Sequence, residues 1–319
     1  MCQAQQRHRE HQSMQQYWMA LLRRWLELRR PQARKTPLPR LLPWRCRFIP
    51  VSLRLCWLDL TVRENLLETG AFGSDMEWLP PGWCPRVVAF DIDGTLTDEN
   101  KRLDMHAVEA LRRLEDAGIP VILATGNVRA ITYGLWRFIG LSGPMCCENG
   151  GVLWHPDWDE PHIRASGVEA KNAAIWLESQ HPEIDSNGIQ TNAWRESEWC
   201  LFKDENLELI TKSIEASDWS NLDVVRTGFA IHLMEPHLSK GSGLELILER
   251  MGMQPSDLLS VGDAPNDLSM FAMSGWSVSV GTPFADVRDA ADVVSPYPNS
   301  ATIAPLVDAV LAVHSAQQL

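Results

Sequence analysis

The chain has 319 residues, of which 45% are hydrophobic and 22% charged, a composition typical of a globular protein with one large or two modest domains. No apolar run approaches the ~18 residues that a membrane-spanning helix needs, and the polar, Arg-rich start lacks the apolar segment of a secretion signal. Seven cysteines without a C-x-x-C pair argue against a disulfide framework or a zinc site, so we expect a reducing, cytoplasmic environment.

The net charge of −12 is unevenly distributed along the chain. Residues 1–58 carry 12 Lys and Arg against 2 Asp and Glu, whereas residues 86–319 carry 16 against 34. An acidic main body disfavours nucleic acid as a partner and suits a small substrate that arrives with a divalent cation.

Residues 1–85 form a basic, Arg- and Trp-rich extension without a sustained period, and on composition we expect this extension to be disordered or poorly determined. Alternatively, residues 15–30 form a short basic helix that binds a membrane surface or an acidic partner. Two further interpretations of this extension are a transit peptide and a reading frame opened too far upstream of Met76. The partner of this arm is therefore unknown, and a homodimer is possible.

From residue 86 onward, apolar β-branched runs alternate with segments of helical period. The strands are predicted at 86–90, 120–125, 144–154 (interrupted by Asn149-Gly150-Gly151), 257–263 and 276–281. The helices are predicted at 104–119, 128–141, 240–253 and 266–275. This alternation predicts an α/β fold with a three-layer, Rossmann-like parallel sheet.

The region 152–236 departs from this alternation. Two helical stretches are interleaved there with strand-like segments, which predicts a small α+β cap domain inserted into a catalytic core of residues 86–151 and 237–319. Its tryptophans are expected to pack in the core of the cap.

Polar side chains follow several of the predicted strands. They are Asp91 and Asp93 after the first strand, Thr125 and Asn127 after the second, and Asp263 and Asp267 after a later one. Because ligands bind beyond the carboxyl ends of parallel strands, we expect these side chains to meet. Crowded carboxylates repel each other unless a cation holds them, and all-oxygen ligands favour Mg²⁺.

These residue types suit phosphoryl transfer. A phosphate dianion that approaches a carboxylate nucleophile is repelled unless Mg²⁺ and Lys240 neutralise its charge. An Asp can form an aspartyl-phosphate, and Asp93 is placed to protonate the leaving alcohol and then to activate water. Thr125 and the backbone N–H groups around Gly94 can hold the remaining phosphate oxygens.

Four ordered motifs resemble those of the haloacid dehalogenase superfamily of phosphohydrolases, over residues 86–312. They are DIDGTLTDE (91–99), ATGN (124–127), Lys240 and VGDAPNDLSMF (261–271). Within the superfamily, TGN, TGFAIHLM (227–234) and the short cap most resemble the archaeal-type phosphoglycolate phosphatases, and sugar-phosphate phosphatases share the framework.

The resemblance implies a role for each matching residue. Asp91 would be the nucleophile and a Mg²⁺ ligand, and Asp93 the acid/base, whose backbone carbonyl also ligates the metal. Asp263 and Asp267 would complete the metal site. The substrate-binding residues would be Lys240, Thr125, Asn127 and Gly94. Ala264-Pro265 departs from the pair, often including Glu, that many relatives have.

We therefore expect a Mg²⁺-dependent phosphomonoester hydrolase that acts on a small phosphorylated metabolite, with 2-phosphoglycolate as the first candidate. One alternative is a sugar-phosphate phosphatase or phosphotransferase that uses the same intermediate. Another is a binding protein that has kept the fold without turnover. His232 and His237, in or near the cap, are expected to be structural rather than catalytic.

Overall fold

The structure, a computed structural model, describes residues 76–318. The expectations for the arm before Met76 lie outside the described residues. Residues 76–85 were assigned to the same extension, but Trp78 and Leu79 are buried in the main core, and Trp276 Nε1 donates a hydrogen bond to the Trp78 carbonyl at 3.0 Å. The ordered core therefore begins before residue 86, because these two apolar side chains pack against it.

The described residues contain eleven strands and eight α-helices. The strands are β1 (Val87–Phe90), β2 (Val121–Ala124), β3 (Met145–Cys147), β4 (Val152–Trp154), β5 (His162–Ile163), β6 (Trp199–Phe202), β7 (Asp223–Arg226), β8 (Ala230–Met234), β9 (Leu258–Gly262), β10 (Trp276–Gly281) and β11 (Val293–Pro298). The helices are α1 (Met105–Asp116), α2 (Arg129–Ile139), α3 (Gly167–Gln180), α4 (Leu207–Glu215), α5 (Lys240–Met251), α6 (Leu268–Met273), α7 (Ala285–Ala290) and α8 (Ile303–Gln317). None of these helices combines the length and the apolar character needed to cross a membrane.

The large sheet has the strand order β11-β10-β9-β1-β2-β3-β4-β5. Neighbouring strands from β11 to β3 are parallel, and β1 lies at the centre, where Val88 is in register with Leu259 on one side and Val121 on the other. The predicted α/β fold with a parallel sheet is confirmed.

Alternate residues of the central strands face two separate cores. Val88 and Phe90 pack in a cluster with apolar side chains of α1 and α8, whereas Val87 and Ala89 pack with those of α5 and α6. Since both faces of the sheet are covered there, β1 (VVAF) and β2 (VILA) are apolar throughout rather than alternating.

The chain reverses direction at Asn149-Gly150-Gly151, so that β4 pairs antiparallel with β3, and β5 in turn pairs with β4. Residues 152–163 therefore belong to the large sheet, although the sequence prediction assigned them to the inserted domain. The turn folds the chain back onto β3 instead of leading it out of the sheet, so the inserted segment begins after Ile163.

A second, three-stranded antiparallel sheet has the order β6-β8-β7. Its apolar residues form a separate core with α3 and α4, which includes Leu177, Ile210 and Leu233. Trp176 and Trp219 pack against this core with their ring centroids 5.5 Å apart. The inserted segment is thus the α+β cap that the sequence predicts.

The two passages that join the inserted segment to the large sheet lie side by side. Arg164 donates one hydrogen bond to the Gly150 carbonyl at 2.8 Å and another to the His237 carbonyl at 3.3 Å. Gly150 has a φ of +89°, and a Cβ at this position would overlap the Ser239 carbonyl. Only glycine therefore allows the two passages to approach this closely.

We expect Phe90→Ala to lower the free energy of unfolding by about 3–5 kcal/mol, since it removes a fully buried ring from the core. Phe138→Ala is the matched control, because this ring is 79% exposed on α2 and its loss should change stability by less than about 0.5 kcal/mol. Urea denaturation measures both values, and equal losses would contradict the assigned core.

Candidate active site

A buried lysine lies between two aspartates at the carboxyl ends of the central strands. Lys240 Nζ donates to Asp91 Oδ1 at 2.5 Å and to Asp267 Oδ1 at 2.6 Å, and the lysine side chain is fully buried. Ser239 caps α5, with its Oγ accepting the Ser242 N–H at 3.1 Å, and so fixes the start of the helix from which Lys240 projects.

The loop after β9 orients Asp267. Asp267 Oδ2 accepts the backbone N–H groups of Asp263 at 2.8 Å and Ala264 at 2.9 Å. Carboxylate oxygens of Asp91, Asp263 and Asp267 all lie within 4.8 Å of one another. The predicted acidic residues thus meet at one point, although they come from two strand ends separated by more than 170 positions in the chain.

This crowding perturbs the protonation of the cluster. Burial raises the pKa of Asp91 well above its ordinary value, against the opposing effect of the Lys240 ammonium. Burial, together with the neighbouring Asp267, raises the pKa of Asp263 to about 7. Burial alone would lower the pKa of Lys240, but the carboxylates of Asp267 and Asp91 outweigh it and raise that pKa. Three carboxylates around one ammonium leave the cluster short of positive charge.

The cluster is suited to a hard divalent cation. Its three donor groups are all carboxylates, and it contains no thiol and no imidazole. A cation among these carboxylates would supply the missing positive charge. The acidic side chains that the sequence predicts to meet are therefore present and adjacent.

Asp93, whose charge also acts on Asp91 and Asp263, has a different hydrogen-bond partner. Asn127 Nδ2 donates to Asp93 Oδ2 at 2.6 Å and to Thr125 Oγ1 at 3.0 Å, and the Asn127 backbone N–H also donates to Thr125 Oγ1 at 3.0 Å. The loop after β2 therefore positions the Asp93 carboxylate and leaves it partly exposed.

Gly94 allows the loop after β1 to approach the loop after β9. Its φ is +100°, and a Cβ would overlap the Asp263 carboxylate. Its own N–H donates to Thr97 Oγ1 at 2.9 Å, within the same loop. The structure thus shows that Gly94 permits a close approach of the two loops, and phosphate binding by the N–H groups around it stays a prediction.

A buried polar network next to the site was not recognised from the sequence. Asn266 Nδ2 donates to Asn149 Oδ1 at 3.0 Å, and Asn149 Nδ2 lies 3.2 Å from His232 Nδ1, which lies 3.0 Å from Glu198 Oε2. His232, expected to be structural, is fully buried in this network. Glu198 gave no signal, because a single acid beside a strand looks like a surface residue.

Residues 88–181 and 177–306 match the haloacid dehalogenase-like hydrolase family. The chain belongs to this family. The phosphoglycolate phosphatase of Methanothermobacter thermautotrophicus is 38% identical over 210 residues, which are 66% of this chain and 91% of that protein. The phosphoglycolate phosphatase of Archaeoglobus fulgidus is 34% identical over 215 residues, 67% of this chain and 92% of that protein.

The fold agrees with this membership. A solved structure of a Thermoplasma acidophilum protein superposes with a TM-score of 0.66 at 25% identity, covering 72% of this chain and 99% of that one. The predicted resemblance to the haloacid dehalogenase superfamily is confirmed, and with it the prediction that the protein is a phosphatase.

We expect Gly94→Ala to reduce hydrolysis of p-nitrophenyl phosphate about 100-fold, because the added methyl group displaces Asp263 from the haloacid dehalogenase-like site. Gly134→Ala is the control, since a Cβ there has no neighbour within 4 Å and α2 gains a better helix former. Steady-state kinetics distinguishes them, and an unimpaired Gly94→Ala enzyme would refute the importance of this close approach.

Proposed function

We propose that the protein is a Mg²⁺-dependent phosphomonoester hydrolase that works through an aspartyl-phosphate on Asp91. The observation that carries the proposal is the convergence of Asp91, Lys240 and Asp267, with Asp263 beside them. A nucleophilic carboxylate, a cation against it and further acids in contact are the groups that this reaction needs.

The residues present fit a magnesium ion. Asp91, Asp263 and Asp267 would hold it, together with the backbone carbonyl of Asp93. When bound, Mg²⁺ supplies positive charge that offsets the repulsion between the carboxylates and the phosphate dianion.

The chain's own residues account for the chemical steps. An Asp91 oxygen attacks phosphorus as the bond to the ester oxygen breaks, and the Asp93 carboxyl donates its proton to the departing alcohol. Asp93, now ionised, then takes a proton from water, whose oxygen attacks the aspartyl-phosphate. Inorganic phosphate leaves, and the Asp91 carboxylate and the protonated Asp93 are restored.

The neighbours of these two aspartates support their different roles. Lys240 binds Asp91 directly and would also neutralise a phosphate oxygen, whereas Asp93 receives its hydrogen bond from the Asn127 amide. An amide donor orients the Asp93 carboxyl group without adding a full charge beside it, which supports its proposed acid/base role. Thr125 belongs to the same loop and is proposed to contact the phosphate.

We further propose 2-phosphoglycolate as the substrate, since both relatives described above are phosphoglycolate phosphatases and the matches cover at least 91% of their length. The residues up to Ile163 and those from Glu235 onward would form the catalytic core, and the segment between them the cap that closes over the substrate. A reducing cytoplasm is part of the proposal, because Cys84, Cys146, Cys147 and Cys200 are all free thiols.

Asp91→Asn is expected to lower turnover of 2-phosphoglycolate by at least about 1,000-fold, because an amide cannot act as the nucleophile. Asp116→Asn, on the exposed end of α1, is the matched control and should retain normal turnover. Phosphate release is the measurement. Near-normal activity of Asp91→Asn would contradict the nucleophile, and faster hydrolysis of a hexose phosphate by the wild type would contradict the substrate.

Removal of divalent cations with EDTA should lower phosphate release by at least about 100-fold, because the carboxylate cluster then repels the phosphate. Addition of Mg²⁺ in excess of the chelator should restore the rate, while addition of Na⁺ at equal ionic strength should not. Persistent turnover in EDTA, with the metal content verified by atomic absorption, would rule out metal dependence.

A further inference from the structure

One buried guanidinium beside the loop after β2 has hydrogen-bond partners at only one of its three nitrogen atoms. Arg195 lies in the inserted segment, and its side chain is 1% exposed. Its Nη1 donates to the Gly126 carbonyl at 3.0 Å and also contacts Glu198 Oε1. Nε and Nη2 have no hydrogen-bond partner, and they are the only buried side-chain polar atoms within residues 76–318 of which this is true.

Unpartnered donors of this kind are costly. A buried guanidinium N–H that loses its water without gaining an acceptor destabilises the folded protein, and nearly all buried polar groups are therefore paired. Two such donors on one side chain indicate a position for an acceptor that the protein itself does not provide.

A second arginine shows what this edge of a guanidinium binds. Arg129 uses the same two atoms, Nε and Nη2, to hold the two oxygens of the Glu196 carboxylate, each at 2.9 Å. The two N–H groups are parallel and match the spacing of carboxylate oxygens. The free edge of Arg195 thus has the geometry of a carboxylate site without its carboxylate.

The neighbouring acids do not fill this edge. Glu198 contacts Arg195 only through Nη1, and its other oxygen lies 3.0 Å from His232 Nδ1. Glu148 accepts hydrogen bonds from the Glu196 N–H and from the N–H and hydroxyl of Ser197, so its oxygens are already engaged. Neither carboxylate therefore contacts Nε or Nη2, and this edge is open to an acceptor from outside the protein.

The location points to the substrate. Gly126, which Arg195 contacts, stands between Thr125 and Asn127, and the Asn127 amide binds Asp93. Arg195 therefore bridges the inserted segment to the loop that orients the acid/base group. A small molecule whose phosphate is held at Asp91 would direct its other end toward such a neighbour.

We propose that Arg195 is the specificity residue that binds the carboxylate of the substrate through Nε and Nη2. This inference rests on the proposed function, since 2-phosphoglycolate carries a carboxylate close to its phosphate. Because both nitrogens are closed off from solvent, the carboxylate enters with the cap displaced and is enclosed when the cap closes. Phosphomonoesters without a second anionic group besides the phosphate leave the two donors unpaired and are disfavoured.

The test compares 2-phosphoglycolate with 2-hydroxyethyl phosphate, which has the same carbon count and a neutral hydroxymethyl group in place of the carboxylate. The wild type should prefer 2-phosphoglycolate in kcat/KM by about 10- to 100-fold. Arg195→Gln should abolish that preference, with a larger loss of kcat/KM for 2-phosphoglycolate, mainly through KM, than for the neutral ester.

Two further variants keep the result interpretable. Arg129→Gln removes a guanidinium whose fork Glu196 already occupies, so it should affect both esters equally. Arg195→Lys keeps the charge against Glu198 but lacks the fork, and should also lose the preference, which provides a measurement if the Gln variant does not fold.

An equal loss for both esters in Arg195→Gln and Arg195→Lys would overturn the inference and leave Arg195 a structural role. A wild type that hydrolyses both esters equally well would overturn it too, while leaving the phosphatase activity intact. A wild type that releases phosphate from 2-hydroxyethyl phosphate and not from 2-phosphoglycolate would instead overturn the proposed substrate, and the inference with it.

Discussion

The ion pairs of Lys240 with Asp91 and Asp267 are the interaction on which the rest of the molecule depends. A lysine ammonium without exposure to water is tolerable only when carboxylates surround it, and removal of one partner would leave a buried unpaired charge. These three residues come from separate parts of the chain. The parallel order of β9, β1 and β2, which sets the relevant loops side by side, is therefore a requirement of the charge cluster as much as of the apolar core.

The same cluster carries more negative charge than a structural ion pair needs. An ion pair built for stability alone would balance its charges, yet a third carboxylate, that of Asp263, has an oxygen within 4.8 Å of oxygens of both Asp91 and Asp267. Gly94 permits this, because any larger residue would occupy the space of that carboxylate. The excess negative charge fits the proposed cation site of this haloacid dehalogenase-like phosphatase.

Much of the catalytic half could be predicted from the sequence. Apolar runs predict β1, β2 and β9, and acids follow both β1 and β9, so the meeting of Asp91 with Asp267 follows from the parallel order of these two strands. The boundary after Ile163 could not be predicted, because the Asn-Gly-Gly turn is equally compatible with leaving the sheet or folding back on it. Arg195 was also missed. Its importance lies in which of its nitrogens have partners, and no pattern of residue types encodes that.

Arg164 binds carbonyl groups of both passages between the large sheet and the inserted segment, and so holds the entry and the exit of that segment together. None of these three groups belongs to the cluster of Asp91, Lys240 and Asp267. In this architecture the inserted segment can therefore change in sequence or size while the spacing within the charge cluster stays as it is.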